Sequence, residues 1–382
     1  MKFVSFVGIL ALFVAFTSAA QLISILFVAL RMKMQGQMNV PGDRPGVSVI
    51  RPVCGLENNL EETLASTFLL QYPRYEIIFC VALLSDKAVP IVEQLMARYP
   101  AIEALLLIGD DQISANPKLN NLKKGWDAAR YDWVVMSDSN VLLPPDYLQC
   151  LFARWTSDTG LVSSPAIGIR PNGIWAEIEC AFLNTYQARW QLVADQIGLG
   201  FAQGKNLFWR REILENAGGI KAMAAEIAED VASTKIVRNA GLKVRLAQKP
   251  FPQPLGHRTK MEVWNRQLRW ARLRRVGLKA YFIPELLSGG LFPLVAALFI
   301  ADLGGFSLYW VIALFVAWYG AEAMLAKAAG WPINSRAVFA MFLRDLLLPA
   351  IWISAWRNSN FVWHGNVMAT KLDTNTTLSV DS

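Results

Sequence analysis

Residues 3–30 include no charged side chain. At 1.5 Å of helical rise per residue, such a run is long enough to cross the roughly 30 Å hydrocarbon core of a bilayer. Inside hydrocarbon a backbone must satisfy its own N–H and C=O groups, so the run has to be helical. Arg31 and Lys33 follow it, while Lys2 alone precedes it. That bias puts the N-terminus outside and the next domain in the cytoplasm. The competing reading is a cleaved secretory signal, with FTSAAQ (16–21) supplying small residues near a cleavage point. Against it, the apolar run continues past Gln21 to Leu30.

Apolar runs return at 282–303, 306–325 and 337–356. Arg344 and Asp345 interrupt the last of these, and charges at mid-bilayer are costly. Two placements follow: a span whose Arg-Asp pair faces other helices, or a helix lying in the interface, the placement favoured here. Residues 357–382 then form a cytoplasmic tail, and its polar end from Asp373 to Ser382 reads as disordered. With 54% hydrophobic and 18% charged residues, the whole is too apolar for a soluble chain and too charged to be all membrane. Cys54, Cys80, Cys150 and Cys180 are widely spaced with no CxxC pair, which fits reduced thiols in a cytosolic domain. Two histidines, His257 and His364, are too few for a multi-histidine zinc centre.

Between about 47 and 249 the pattern alternates. VSVIRPV (47–53), YEIIFCVAL (75–83), IEALLLIG (102–109) and YDWVVMSDS (131–139) read as strands. Helical spacing or stop signals separate them. Such alternation predicts an α/β domain with a parallel sheet covered on both faces, and ligands bind beyond the carboxyl ends of its strands. Asp86 and Asp138 stand at those ends. Each fits either a helix cap or a ligand. Asn140, two residues past Asp138, offers a second oxygen for a divalent cation shared with a diphosphate. Glu226, Glu229 and Asp230 open a helix, as dipole-stabilising acids or as a general base. Lys118, Asn120 and Asn121 suit a solvated turn or the grip on a nucleotide sugar. The helical spacing of Phe182, Tyr186 and Trp190 fits core packing or an acceptor entrance equally.

EVWNRQLRWARLRRVG (262–277) carries five arginines and two tryptophans just before the apolar C-terminal third. Arg266 and Arg269 suit bidentate contact with phosphates. Arg272, Arg274, Arg275 and Lys279 read as a surface patch for anionic lipid. Trp264 and Trp270 read as interfacial or acceptor-lining aromatics. The adjoining apolar runs disfavour nucleic acid as the partner.

In order, RPVCGLENNLEETLAS, QYPRYEIIFCV, Asp86, NPKLNNL, SDSNV, AGG, AED and RQLRW resemble the inverting glycosyltransferases of family 2, and most of all the ceramide glucosyltransferase branch, family 21. The resemblance runs from about Val47 to Trp270 and extends to the flanking apolar runs. It implies a GT-A nucleotide-diphospho-sugar transferase domain, a mixed and mostly parallel sheet at 45–255, behind a transmembrane anchor at 1–31. A basic interface helix at 256–280 and transmembrane or interfacial helices at 281–356 follow. The branch's Asp, Asp, Asp, (Q/R)xxRW signature is met by Asp86, Asp138, Asp230 and Arg266, Arg269, Trp270.

The resemblance implies Pro52 and Glu57 near the uracil ring, Asp86 on the uridine and Asp138 on the metal-diphosphate. It implies Asp230 as base, with Arg266, Arg269 and Trp270 beside the diphosphate and acceptor. Lys118 and Asn121 join the donor side; Glu229, Trp190 and Trp264 join the acceptor side. Many family 2 relatives carry DxD where this chain has Asp138-Ser139-Asn140, so the substrate would share in holding Mg²⁺ or Mn²⁺. The implied reaction moves one sugar, glucose by default or galactose or glucuronate, from a UDP-sugar to a membrane lipid hydroxyl. Ceramide, diacylglycerol and a hopanoid-type alcohol all offer one. The implied setting is a multi-pass protein of a bacterial inner membrane, with the catalytic domain cytoplasmic and no obligate protein partner. The rival readings are a processive polysaccharide synthase, a catalytically inactive binding protein and a secreted protein.

Overall fold

A computed structural model describes residues 2–34, 44–357, 360–363 and 366–369. In chain order, after helix α1 (Lys2–Lys33), the α/β region runs β1 (Val47–Val53), α2 (Leu60–Phe68), β2 (Tyr75–Val81), α3 (Val89–Arg98), β3 (Ala104–Ile108), α4 (Pro117–Ala128), β4 (Trp133–Ser137), α5 (Tyr147–Phe152), β5 (Thr159–Ser163) and β6 (Ala166–Asn172). Next come α6 (Ile174–Ala181), a π-helical stretch (Phe182–Ala188), α7 (Arg189–Gln196), β7 (Asn206–Arg210), α8 (Arg211–Glu215), α9 (Glu229–Asn239), β8 (Lys243–Leu246), β9 (Phe251–His257) and α10 (Lys260–Gly277). Helices α11 (Lys279–Glu285), α12 (Leu291–Gly304), α13 (Tyr309–Ala329) and α14 (Ser335–Arg357) follow, then the paired strands β10 (Asn360–Trp363) and β11 (Asn366–Ala369).

Seven strands form the main sheet in the order β3-β2-β1-β4-β7-β5-β8. Side chains alternate between its two faces, as the two-residue strand period requires. Val49, Phe79, Val135 and Phe208 enter one core; Ile50, Ile78, Met136 and Trp209 enter the other. With both faces covered, the strands read as continuous apolar runs. Truncating Phe79, which is fully buried, should cost about 3–5 kcal/mol. The sheet is mixed and mostly parallel, as the resemblance implies, and one strand runs against the rest: β7 is antiparallel to both β4 and β5. It pairs Ser137 with Asn206, so the residues just before β7 arrive at the carboxyl end of β4. Fully buried Arg51 donates from Nη2 to Ser139 O at 3.1 Å and Val141 O at 3.0 Å, fixing the loop after β4.

Among the described residues, three helices are long and apolar enough to span a membrane: most of α1, α13 and α14. The expected span at 282–303 is broken. The chain leaves the helix after Glu285, and α12 has only 14 residues, a rise of about 21 Å. The reason for laying 337–356 in the interface also falls. Arg344 and Asp345 are buried in α14 and bonded to each other at 2.8 Å. Arg344 also pairs with Glu322 of α13 at 2.9 Å. Helix α1 is built into this bundle: Gln21 donates to Glu322 and accepts from Arg189. Arg31, one of the two charges that follow the first apolar run, is buried against Asp195 at 2.6 Å and donates to Leu246 O and Ala247 O. It docks α1 on the sheet's far edge. The tail from Asp373 to Ser382 lies outside the described residues.

Candidate active site at the carboxyl edge of the sheet

The loops after β1, β2 and β4 carry the acids to one edge. Asp86 accepts from Gly55 N at 2.8 Å and Ala88 N at 2.8 Å. It therefore braces the turn that leads into α3 and also fixes the loop that leads to Glu57. Gly55 sits at φ 64°, a left-handed conformation that side chains resist. Asn121 is buried, and its amide donates to Cys80 O at 2.6 Å, at the end of β2. Pro52 is buried inside β1. Asn120 accepts from Ser114 N at 2.9 Å, so this amide braces its own loop.

Asp138 meets two lysines. Lys118 Nζ lies 2.6 Å from Oδ1 and Lys205 Nζ 3.1 Å from Oδ2. Burial opposes its charge, yet Lys118 and Lys205 outweigh burial and hold the carboxyl down at about 2. Lys205 also donates to Asn140 Oδ1 at 2.8 Å. Lys118 continues the chain of charge, reaching Glu229 Oε1 at 2.6 Å and Gly204 O at 2.5 Å. Burial alone would lower the Lys118 ammonium, but Asp138 and Glu229 raise it. Glu229, expected on the acceptor side, is thus turned inward, and it also accepts from Asn116 Nδ2 at 2.8 Å.

Asn116 is the amide that sequence reasoning missed. It caps α4 by accepting from Lys118 N at 2.9 Å and Leu119 N at 3.2 Å. The signal was present, since Asn before Pro117 marks an N-cap with proline at the first helical position.

Asp230 stands next to Glu229 at the start of α9. It accepts from Gly204 N at 3.1 Å and from Val231 N at 2.8 Å. Burial first, and then the Glu229 carboxylate, push it up to about 6, against the pull of Lys118 and the two N–H groups. A Cβ on Gly204 would come within 2.7 Å of Glu229 Oε1. Only glycine admits the backbone this close to both acids. Glu226 is drawn away, paired with Lys235.

Helix α10 closes the site. A capping box starts it, in which Thr259 Oγ1 accepts from Glu262 N and Glu262 Oε2 accepts from Thr259 N. Arg269 lies within electrostatic reach of Asp138, Glu229 and Glu57, and burial with the neighbouring Arg266 lowers it to about 10. Arg266 Nη1 donates to Glu179 Oε1 at 2.5 Å. Trp270, Leu183, Gln187, Gln203 and Lys205 line a narrow recess beneath the lysines. Trp264 packs on the helical bundle, as does Trp190, over which Arg189 stacks at 5.1 Å. Phe182 and Tyr186 are buried in that bundle, which answers their open reading in favour of core. Arg274 does not join a surface patch: it pairs with Glu285 of α11.

Hard oxygen donors are the chemistry a divalent cation wants. Asp138 and Asn140 supply two, both now engaged by ammonium groups. No group of three or more His, Cys, Asp or Glu side chains is assembled for a metal among the described residues. The set therefore fits an ion that takes the rest of its shell from diphosphate oxygens and water.

The model of the family described as glycosyl transferase family 21 matches residues 12–376. Ceramide glucosyltransferase 1 of Caenorhabditis elegans is 29% identical over 344 residues, covering 86% of this chain and 74% of that protein. The ceramide glucosyltransferase of Komagataella phaffii is 41% identical over 106 residues, 27% of this chain and 21% of that protein. Among solved structures, the mannosyltransferase PcManGT from Pyrobaculum calidifontis, in complex with GDP-Man and Mn²⁺, aligns with TM-score 0.51 at 19% identity, covering 91% of this chain and 97% of that one. That likeness supports the GT-A fold.

Proposed function

The chain belongs to glycosyl transferase family 21, and we propose that it transfers one glucose from UDP-glucose to ceramide, with inversion, at the membrane surface. The observation that carries this reading is the pairing of a raised carboxylate, Asp230, with the Lys118–Asp138–Lys205 array one loop away. One group is fit to take a proton and the other to face phosphates. Both lie along the basic helix α10, which runs into an apolar bundle.

The lipid hydroxyl gives its proton to Asp230 as its oxygen attacks the anomeric carbon. The bond from that carbon to the diphosphate breaks on the opposite face, and UDP leaves. A single displacement turns an α-linked donor into a β-glycolipid without a nucleophilic side chain. Arg269, Lys205 and Lys118 are placed to stabilise the charge that grows on the leaving oxygens. Asp138 and Asn140 would hold Mg²⁺ or Mn²⁺, which when bound supplies further positive charge against the diphosphate. Asp86 orders the Gly55–Glu57 loop for the nucleoside, and Asn121 ties the strand ends beneath it. Trp270 and its recess would meet the acceptor.

The test is product analysis with the purified full chain in detergent. UDP-glucose, UDP-galactose and UDP-glucuronate would each be offered with ceramide or with diacylglycerol, in Mg²⁺ or Mn²⁺. A single-sugar β-glucosylceramide is expected. A polymer, or UDP release without lipid product, would overturn the reading.

A further inference from the structure

Glu179 is a carboxylate with no exposure, set in α6 between Ile178 and Cys180, both buried. Nothing in the chemistry above uses it. Its Oε1 accepts from Arg266 Nη1 at 2.5 Å. Its Oε2 lies 3.4 Å from Arg258 Nε, and neither of those two atoms has a hydrogen-bond partner. Arg258 stands just before α10 and Arg266 two turns into it, so a single buried carboxylate braces both ends of that segment.

The cations around the site make this brace consequential. Lys118, Lys205, Arg258, Arg266 and Arg269 crowd one cleft, and Arg266 disfavours the charge on Arg258, Arg269 and Lys205. A cluster of that kind needs a counter-charge on its inner wall when no diphosphate is present.

Resting on the function proposed above, we propose that Glu179 is the positioning residue for Arg266, holding its guanidinium on the cleft wall ready for the phosphates of a nucleoside diphosphate. Glu179 and Arg266 are coupled, so neutralising both should cost less than the sum of the two single changes, the remainder being the contact that Arg258 loses.

The full chain, Glu179→Gln, Arg266→Gln and the double variant would be compared for kcat and KM with UDP-glucose, and for the rise in Tm on adding UDP. Glu179→Gln is expected to lower kcat/KM about tenfold or more when Arg266 is present, and less than about threefold when position 266 is glutamine. The UDP-induced rise in Tm should shrink in Glu179→Gln and in Arg266→Gln, and shrink no further in the double variant. Arg266→Gln alone leaves Glu179 with only the 3.4 Å contact to Arg258, so its own Tm should fall and recover in part in the double variant, where Arg258 loses that contact. That arm reads the pairing even where Glu179→Gln folds poorly. Equal losses in both backgrounds, or a Glu179→Gln protein as active as the unaltered chain, would overturn the inference. An unaltered protein that transfers no sugar would instead overturn the function proposed above, while the Tm cycle would still report whether the two residues are matched.

Discussion

Two of the clusters of paired charge among the described residues, one in the helical bundle and one at the sheet edge, are built for opposite ends. In the helical bundle, Arg344 spends Nε on Asp345, Nη1 on Ala181 O, Thr185 and Glu322, and Nη2 on Glu322. Asp345 in turn accepts from Gly290 N at 2.6 Å and Tyr319 OH at 3.0 Å. Arg344, Glu322 and Asp345 are 0–1% exposed. At the sheet edge, Asp138 and its two lysines keep 12–21% of their side-chain surface open. The bundle's pairs join α1, α13, α14 and the π-helical stretch into one body. The edge's pairs share acids among lysines, so an arriving diphosphate can take over a partner without stranding a charge. Closure gives permanence, and partial exposure gives exchange.

The sharpest way to break the edge, and the largest effect expected, is Asp230→Asn. Loss of a general base should lower kcat by about 10²–10⁴. In the unaltered protein, kcat should drop as pH falls through about 6, where Asp230 takes up its proton. Stability moves the other way. The folded pKa of this carboxyl is above the unfolded value, so its contribution is full below about 4 and is lost as pH rises through about 6. At neutral pH the asparagine variant should therefore melt higher than the unaltered chain while turning over far more slowly. A scanning Tm and a pH profile of kcat check both halves.

The matching break in the bundle is Arg344→Met. It strands Glu322 and Asp345 in a dry environment and should cost about 3–5 kcal/mol. The expected readout is loss of a monodisperse, detergent-purified protein. A variant as stable as the unaltered chain would show that the network is dispensable. Arg344→Met with Glu322→Gln should recover part of that loss.

The two clusters were unequally legible in the sequence. Asp86, Asp138 and Asp230 follow strands or open a helix, and local periodicity places such positions. The sheet's covered faces and the α/β alternation are local signals too. What pairs with what is not. Glu179 meets Arg266 across a gap of 87 residues, and Arg344 meets Glu322 on another helix. Nothing in AEIECA says which glutamate faces α10. The antiparallel course of β7 comes from a long connection through the α6–α7 helices. The break after Glu285 escaped notice because hydropathy averages over the Ser288-Gly289-Gly290 turn. Gly290 is needed there by close approach, since a Cβ would meet Trp318 and Tyr319 at 2.9 Å.

A smaller effect sharpens the exchange argument. Asp138→Asn removes the acid from between Lys118 and Lys205 but leaves Glu229 to hold Lys118. Because Asp138 would also help hold the cation that faces the diphosphate, its loss should cost about 2 kcal/mol in donor affinity, about thirtyfold in KM. The carboxyl is held down at about 2, so its stabilising contribution is present above about 4 and is lost as pH falls toward 2. Acid unfolding should accordingly begin at higher pH in the asparagine variant.

The smallest effect lies where neither kind of pairing operates. Lys279 is exposed at the start of α11, between the site's helix α10 and the bundle. Arg274, once grouped with it, is committed to Glu285, and Arg275 stacks on Trp356 at 5.4 Å. A lipid surface therefore reads fewer cations here than the sequence displays. Lys279→Gln should weaken the response of activity to anionic lipid by about 1 kcal/mol, about fivefold at low salt, and by much less at 0.5 M salt. The measurement is turnover in vesicles of graded anionic content. Arg274→Gln offers the contrast: its effect should not depend on lipid charge or salt, because what it breaks is a protein contact.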